Sequence, residues 1–138
     1  MSQIRDTYHA ALRHDHVEPA EEDLVVGVVR HPVYGIETLL DRNVPALAPP
    51  EALLGDFEAV EERDDRTHDE AWDEVNFAER YREYLQHAAV QQVMDDLLGE
   101  LDSGKGDLWL VCYENTDDKR CHRTILQEVL RERAGRSD

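Results

Sequence analysis

Lysine, cysteine and long apolar runs are all scarce in this chain of 138 residues. Only two lysines occur, Lys105 and Lys119, against 32 acidic residues, and the formal net charge is −17. Excess charge of one sign strains a compact protein by self-repulsion, and molar salt, with a Debye length of about 3 Å, screens that repulsion. The composition therefore predicts a halophilic, archaeal protein. Acidity of this origin reports on the solvent, and it disfavours nucleic acid as a partner.

Two cysteines are too few for a disulfide framework in a chain of this size. No apolar run is long enough to span a bilayer, and the N-terminal residues lack the core of a signal peptide. These absences predict a cytoplasmic protein with no membrane partner and with free thiols, while a bridge between Cys112 and Cys121 stays open as an alternative. Glycine-rich nucleotide motifs and the Gly-x-Ser-x-Gly hydrolase motif are also absent.

The sequence shows predicted hydrophobic strands that alternate with predicted helices. Residues 24–30 and 108–114 are continuous apolar runs, typical of strands buried on both faces, whereas residues 4–13 are ambiguous between a strand and a short helix. Apolar residues at helical spacing predict helices in four segments, 50–60, 70–87, 90–101 and 124–133. The acidic segment 61–70 is expected to be exposed.

This alternation predicts one α/β domain over residues 1–138, with frayed ends at 1–3 and 134–138. Its sheet should be mainly parallel and covered by helices, in a Rossmann-like three-layer arrangement. Ligands of such sheets bind beyond the carboxyl ends of the strands. The chemically capable residues cluster at those ends: Arg30 after one strand, Cys112 and Glu114 at the end of the other, and Cys121, His122 and Arg123 where the next helix begins.

A thiol in the first turn of a helix lies near partial positive charge, so the thiolate of Cys121 should be favoured. His122 could act as a general acid or base, and Arg123 with the helix N–H groups could bind phosphate or carboxylate. Glu114 could orient Arg123 or act as a base, or be a solvated acid. The alternative is structural: Cys121 packs beneath the helix, and Arg123 pairs with Glu114 or a loop aspartate. Cys112 is expected to pack in the core.

Two familiar cysteine sites do not fit this spacing. Phosphatase loops place cysteine and arginine in a Cys-x5-Arg frame, but Cys121 and Arg123 are separated by one residue. Cys112, Cys121 and His122 lack a clear fourth ligand and the tight cysteine pairs of zinc motifs. We therefore predict no metal and no cofactor.

The segment LWLVCYENTDDKRCHRTILQEVL resembles the signature of the DUF488 family, whose members typically show a strand ending in Leu-Cys-(Tyr/Ala)-Glu and then Cys-His-Arg opening a helix. DTYHAALR is similar to the opening strand of that family, with Tyr8 where serine is common, which leaves Thr7 as the hydroxyl. VVGVVRHP, ALAPPEALLGDFEAV and FAERYREYL resemble its second strand, its archaeal Leu-Ala-Pro segment and its tyrosine-rich helix.

The resemblance implies an α/β fold with an opening strand and a site at Cys121, His122 and Arg123, but it implies no reaction. We expect Cys121, His122 and Glu114 to be catalytic, and Arg123 and Arg30 to bind an anion. Thr7 and Cys112 should line the site. Three functions stay open: a Cys-dependent enzyme acting on a phosphorylated or nucleotide-like small anion, a non-catalytic nucleotide- or phosphate-binding module, and a structural or regulatory partner protein.

Overall fold

The structure is a computed structural model, and it describes residues 3–14, 17–30, 39–63, 67–104, 106–112 and 122–135. Glu114 and Cys121 lie outside these residues. The strands of the described part are β1 (Ile4–Tyr8), β2 (Leu24–Gly27), β3 (Arg42–Asn43) and β4 (Leu108–Cys112). Its helices are α1 (His9–Arg13), α2 (Glu51–Arg63), α3 (His68–Glu74), α4 (Phe77–Tyr84), α5 (Ala88–Ser103) and α6 (His122–Arg133), with a short 3-10 turn at Pro45–Leu47.

The strands form one parallel sheet in the order β1-β4-β2-β3. The central strand β4 is aligned with both neighbours at its first residue, since Leu108 lies opposite Ile4 of β1 and Leu24 of β2. Leu108, Leu110 and Val111 have no solvent exposure, as expected for a continuous apolar strand between two layers. The α/β fold with a parallel sheet is thereby confirmed, and the ambiguous segment 4–13 is a strand followed directly by a helix.

The two faces of the sheet pack against different layers because side chains alternate along each strand. Leu108 and Leu110 face the large core, which is formed with α2 to α6. Val111 and Val25 face the other side, where Leu12 of α1 packs against them. The result is a three-layer domain. Within the described residues, no helix is both long enough and apolar enough to cross a membrane.

The edge strand β1 is covered along its outer side by side chains of α6. The carbonyl of Gln3 accepts a hydrogen bond from Leu108, so by alternation the next carbonyl, that of Ile4, points away from β4. That carbonyl accepts two bonds, from Gln127 Nε2 at 2.8 Å and from Arg131 Nη2 at 3.0 Å. The helix therefore satisfies a backbone group that an edge strand would otherwise leave exposed.

The strand predicted over residues 24–30 ends early, at Gly27. Beyond it, the side-chain amide of Asn43 replaces a strand partner, because it accepts from the N–H of Val29 at 3.3 Å and donates to its carbonyl at 2.9 Å. Gly27 makes this possible, since a Cβ there would lie 2.5 Å from Asn43 Oδ1 and 2.5 Å from Leu40 Cδ1. The short strand that carries Asn43 was not predicted.

The single helix predicted over 70–87 is two helices, α3 and α4. They are separated at Asn76, whose φ of 53° lies in the left-handed region that ends helical geometry. The first of the two starts earlier than predicted, inside the acidic segment, because Thr67 and Glu70 form a reciprocal capping box.

Candidate active site

A buried arginine joins the carboxyl ends of β1 and β4. Arg123, in the first turn of α6, has 1% of its surface exposed. Its Nε donates to Asp6 Oδ2 at 2.9 Å, and its Nη1 donates to the carbonyl of Thr7 and approaches Cys112 Sγ at 3.4 Å. One guanidinium therefore contacts a carboxylate, a backbone carbonyl and a thiol.

The sheet register explains which groups can reach this arginine. Asp6 aligns with Leu110 of β4, and Tyr8 with Cys112, so the side chains of Asp6 and Cys112 lie on the sheet face that α6 covers. Thr7 aligns with Val111 and projects from the opposite face. Thr7 was predicted to line the site, and the structure brings its carbonyl, rather than its side chain, to the arginine.

The charge at this position is balanced by a partly exposed acid. The side chain of Asp6 is 28% exposed, whereas that of Arg123 is 2% exposed. Removing one partner of a buried ion pair typically costs about 3–5 kcal/mol, because the remaining charge is left unpaired. Cys112 is 2% exposed and packs against Val29, in line with its predicted place in the core.

His122 is held as a neutral imidazole. Its Nε2 lies 2.6 Å from the carbonyl of Val28, and because a carbonyl only accepts, Nε2 carries the proton. The ring meets that of Tyr81 edge-on, at 5.5 Å between centroids. Burial lowers the pKa of His122 to about 4; the bond to Val28 raises it and the charge of Arg123 lowers it further. At pH 7 the ring is therefore uncharged, and Nδ1 is the unprotonated ring nitrogen.

Arg30 supports the segment that precedes α2. Its Nε donates to the carbonyl of Pro49 at 3.0 Å, and its Nη2 contacts the carbonyl of Ala48 at 3.1 Å and the hydroxyl of Tyr84 at 3.4 Å. That hydroxyl in turn donates to the carbonyl of Ala46 at 2.8 Å. The predicted anion ligand Arg30 thus makes its described contacts with the protein itself.

Two tyrosines connect this segment to the histidine. Tyr81, which has no exposed surface, donates to the carbonyl of Leu47 and stacks with Tyr84 at 6.5 Å. Since Tyr81 also contacts His122, the first turn of α6 and the segment held by Arg30 share one packed unit. The family resemblance implied a tyrosine-rich helix in this segment, but it implied no contact for either tyrosine.

Asp6 is the site residue that sequence reasoning missed. It lies in β1 between Ile4 and Tyr8 on the face that packs under α6. The signal in the sequence was an acidic residue on the inward face of a strand. Burial of an unpaired charge there costs free energy, so the residue requires a partner. The other predicted residues, Glu114 and Cys121, fall outside the described residues, and their roles stay predictions.

The concave region at the opposite, amino edge of the sheet, about 320 Å³ in volume, was not predicted. Burial alone would raise the pKa of Asp23 there, but hydrogen bonds from the N–H of Asp107, from Trp109 and from the N–H of Ala20 lower it. Because its carboxylate oxygens serve these internal donors, Asp23 organises the loops rather than a ligand. No group of three His, Cys, Asp or Glu side chains suited to a metal occurs in the described part of the chain.

Comparison with known protein families identifies the chain. The family model DUF488-N3a, described as the active DUF488-N3 subclade, matches residues 9–134. No curated protein and no solved structure matches the chain significantly. The matched range runs from the first residue of α1 past the end of α6, so it includes Cys112 and Arg123 but leaves out Asp6 and Thr7 of β1. The chain belongs to the DUF488 family.

Proposed function

We propose that this protein is a Cys-dependent enzyme acting on a small anionic, phosphorylated or nucleotide-like substrate at the carboxyl edge of β1 and β4. Cys121 is the nucleophilic thiol, and Arg123 supplies the fixed positive charge beside it in sequence. The observation that carries the proposal is the burial of Arg123 in the first turn of α6. The description of the matched family subclade as active supports a working site in this fold.

Burial of a guanidinium costs desolvation free energy, and hydrophobic residues of similar volume often stabilise a core equally well. Its role here is electrostatic: the charge of Arg123, partly neutralised by Asp6, adds to the partial positive charge at the start of α6. A positive potential there favours a thiolate over a thiol, and it favours the binding of phosphate or carboxylate. Both effects are required of a thiol enzyme that acts on an anion.

The protonation state of His122 determines which proton transfer we assign to it. At pH 7 its ring is neutral, so it accepts a proton at Nδ1 rather than donating one as an imidazolium. We assign it the removal of the thiol proton, and Glu114 the orientation of substrate or a second proton transfer. Arg30 shapes the wall of the site through its bonds to Pro49 and Ala48.

Thiol reactivity tests the catalytic assignment. Iodoacetamide labelling of the wild type at a series of pH values, read by mass spectrometry, should give Cys121 a midpoint clearly below the ordinary thiol pKa of about 8.5. Cys112→Ser is the matched control, since it removes the buried thiol and keeps Cys121 as the remaining one. A midpoint near the ordinary value, with slow labelling at pH 7, would contradict the enzyme proposal.

A non-catalytic nucleotide- or phosphate-binding module is the second candidate, and one observation favours it. With its pKa at about 4 and Nε2 engaged by Val28, His122 is a weak base. A thermal-shift screen of nucleotides and phosphosugars at molar salt identifies a ligand, and a turnover assay with that ligand on wild type and Cys121→Ser separates the two candidates. In the binding module, Cys121→Ser retains every ligand-induced shift; in the enzyme it also retains binding but abolishes turnover of the ligand that shifts.

The same screen tests whether Arg123 carries the anion. Arg123→Lys keeps the charge but loses the planar fork, so ligand-induced shifts should fall strongly. Arg133→Lys is the matched control on the same helix, because Arg133 forms an exposed ion pair with Asp95. Equal shifts in wild type and Arg123→Lys would remove Arg123 from the proposed site.

A further inference from the structure

The guanidinium of Arg123 already has an anionic partner inside the protein. Asp6 Oδ2 accepts from its Nε at 2.9 Å, and the acid is much more exposed than the base, at 28% against 2%. Solvent therefore reaches the carboxylate side of the pair and not the arginine side. Of the two charged side chains, Asp6 is therefore the more accessible to a ligand from solvent.

This arrangement changes the charge that a ligand experiences. An isolated buried arginine would present a full positive charge, whereas the pair presents little net charge and the partial charge of the helix terminus remains. A ligand phosphate or carboxylate also has to share the guanidinium with a resident carboxylate. The second negative charge of a dianion is repelled by Asp6 at close range, and that repulsion is only partly screened in a half-buried position.

We propose that Asp6 is a specificity-determining residue of this site, which selects substrates with one negative charge, such as phosphodiesters or carboxylates, over dianionic phosphomonoesters. This inference rests on the proposed anion site at Arg123 and narrows its substrate class. Asp6 acts in two ways: it orients the guanidinium so that Nη1 faces Thr7 and Cys112, and it cancels most of the attraction for a second charge.

Two small phosphate esters that differ in charge test the inference. Dimethyl phosphate carries one negative charge, and methyl phosphate carries two above its second pKa of about 6. Their dissociation constants are measured by calorimetry at pH 8 and constant salt, on wild type and Asp6→Asn. The wild type should bind dimethyl phosphate at least as tightly as methyl phosphate. Asp6→Asn should bind methyl phosphate about tenfold more tightly than the wild type does.

Matched variants separate the effect of the Asp6 charge from the effect of a substitution on folding. Asp6→Glu keeps the charge and should keep the wild-type preference, whereas Asp6→Thr is a second neutral variant with high strand propensity, should Asp6→Asn fail to fold. Asp95→Asn is the control, since it also removes one carboxylate from an arginine of α6, at the exposed pair with Arg133. It should leave both constants unchanged.

The results distinguish a failure of this inference from a failure of the proposed anion site. If the wild type binds methyl phosphate more tightly than dimethyl phosphate, the inference is overturned whether or not any variant folds. It is also overturned if the folded neutral variants gain nothing for methyl phosphate, and in both cases the anion site itself stands. If neither probe binds the wild type or any variant, the proposed anion site fails and the inference fails with it.

Discussion

Replacing His122 with glutamine should remove a pH dependence of stability that the wild type carries. The pKa of His122 is lowered to about 4 in the folded protein, chiefly by burial, and the ordinary value in an unfolded chain is about 6.5. The unfolded chain therefore binds a proton that the folded protein does not. Stability is complete above pH 6.5 and declines as the pH falls towards 4.

The magnitude follows from the two pKa values. The full difference of 2.5 units corresponds to about 3 kcal/mol, of which about 2 kcal/mol is lost between pH 7 and pH 5. In His122→Gln, the side-chain N–H can still donate to the carbonyl of Val28, but no ionisable group remains there. The free energy of unfolding of the variant should therefore change by about 2 kcal/mol less than that of the wild type over this range.

Urea unfolding followed by circular dichroism at constant molar salt measures this difference. His87→Gln, which replaces an exposed histidine, is the control for the loss of any one imidazole and should follow the wild type. A wild-type-minus-variant difference that is the same at pH 7 and pH 5 would refute the assignment of His122 as a neutral ring. The acidic groups of the chain titrate in all three proteins and cancel in the comparison.

Gly27→Ala should lower stability by about 1–3 kcal/mol in urea unfolding, because its Cβ would lie 2.5 Å from Asn43 Oδ1. Gly55→Ala, in a helix with open space around the new Cβ, should instead raise it by about 0.5–1 kcal/mol, and equal losses in both would contradict the close contact at Gly27. Tyr81→Phe should cost about 1–2 kcal/mol, because the carbonyl of Leu47 loses its buried donor; an unchanged midpoint would show that this bond is not made in solution.

Patterns that repeat along the chain were sufficient to predict the layers. The apolar run at Leu108–Cys112 can be buried on both faces only inside a sheet, and the helical spacing from Val90 to Leu101 fits one face of α5. The break at Asn76 was missed because a left-handed residue leaves the apolar spacing on either side intact. The short strand β3 was missed because two residues are too few to show the alternating pattern of a strand.

The positions of some candidate site residues followed from the same patterns, whereas their roles stay predictions. Alternation along β4 placed Cys112 inward, and the helix start placed His122 and Arg123 at the same edge. The partner of Arg123 could not be predicted, because Asp6 is 117 residues away and its proximity depends on which strand lies beside β4. Strand order is a property of the whole sheet, so no local pattern contains it. The neutral state of His122 likewise depends on Val28, at a separation of 94 residues.

The two-sided enclosure of β1 also sets an order of events for the folding chain. Its sheet partner begins at Leu108, and its outer carbonyl is bound by Gln127 and Arg131, more than 120 residues further along than Ile4. During synthesis β1 therefore emerges long before β4 and α6, the two elements that bind its edges. Its inner edge has no strand partner until β4 has left the ribosome, and its outer edge lacks Gln127 and Arg131 until α6 has followed. Pairing between segments so distant in sequence slows folding. The charged side chains of Arg5 and Asp6 help to keep the unpaired strand soluble in the meantime.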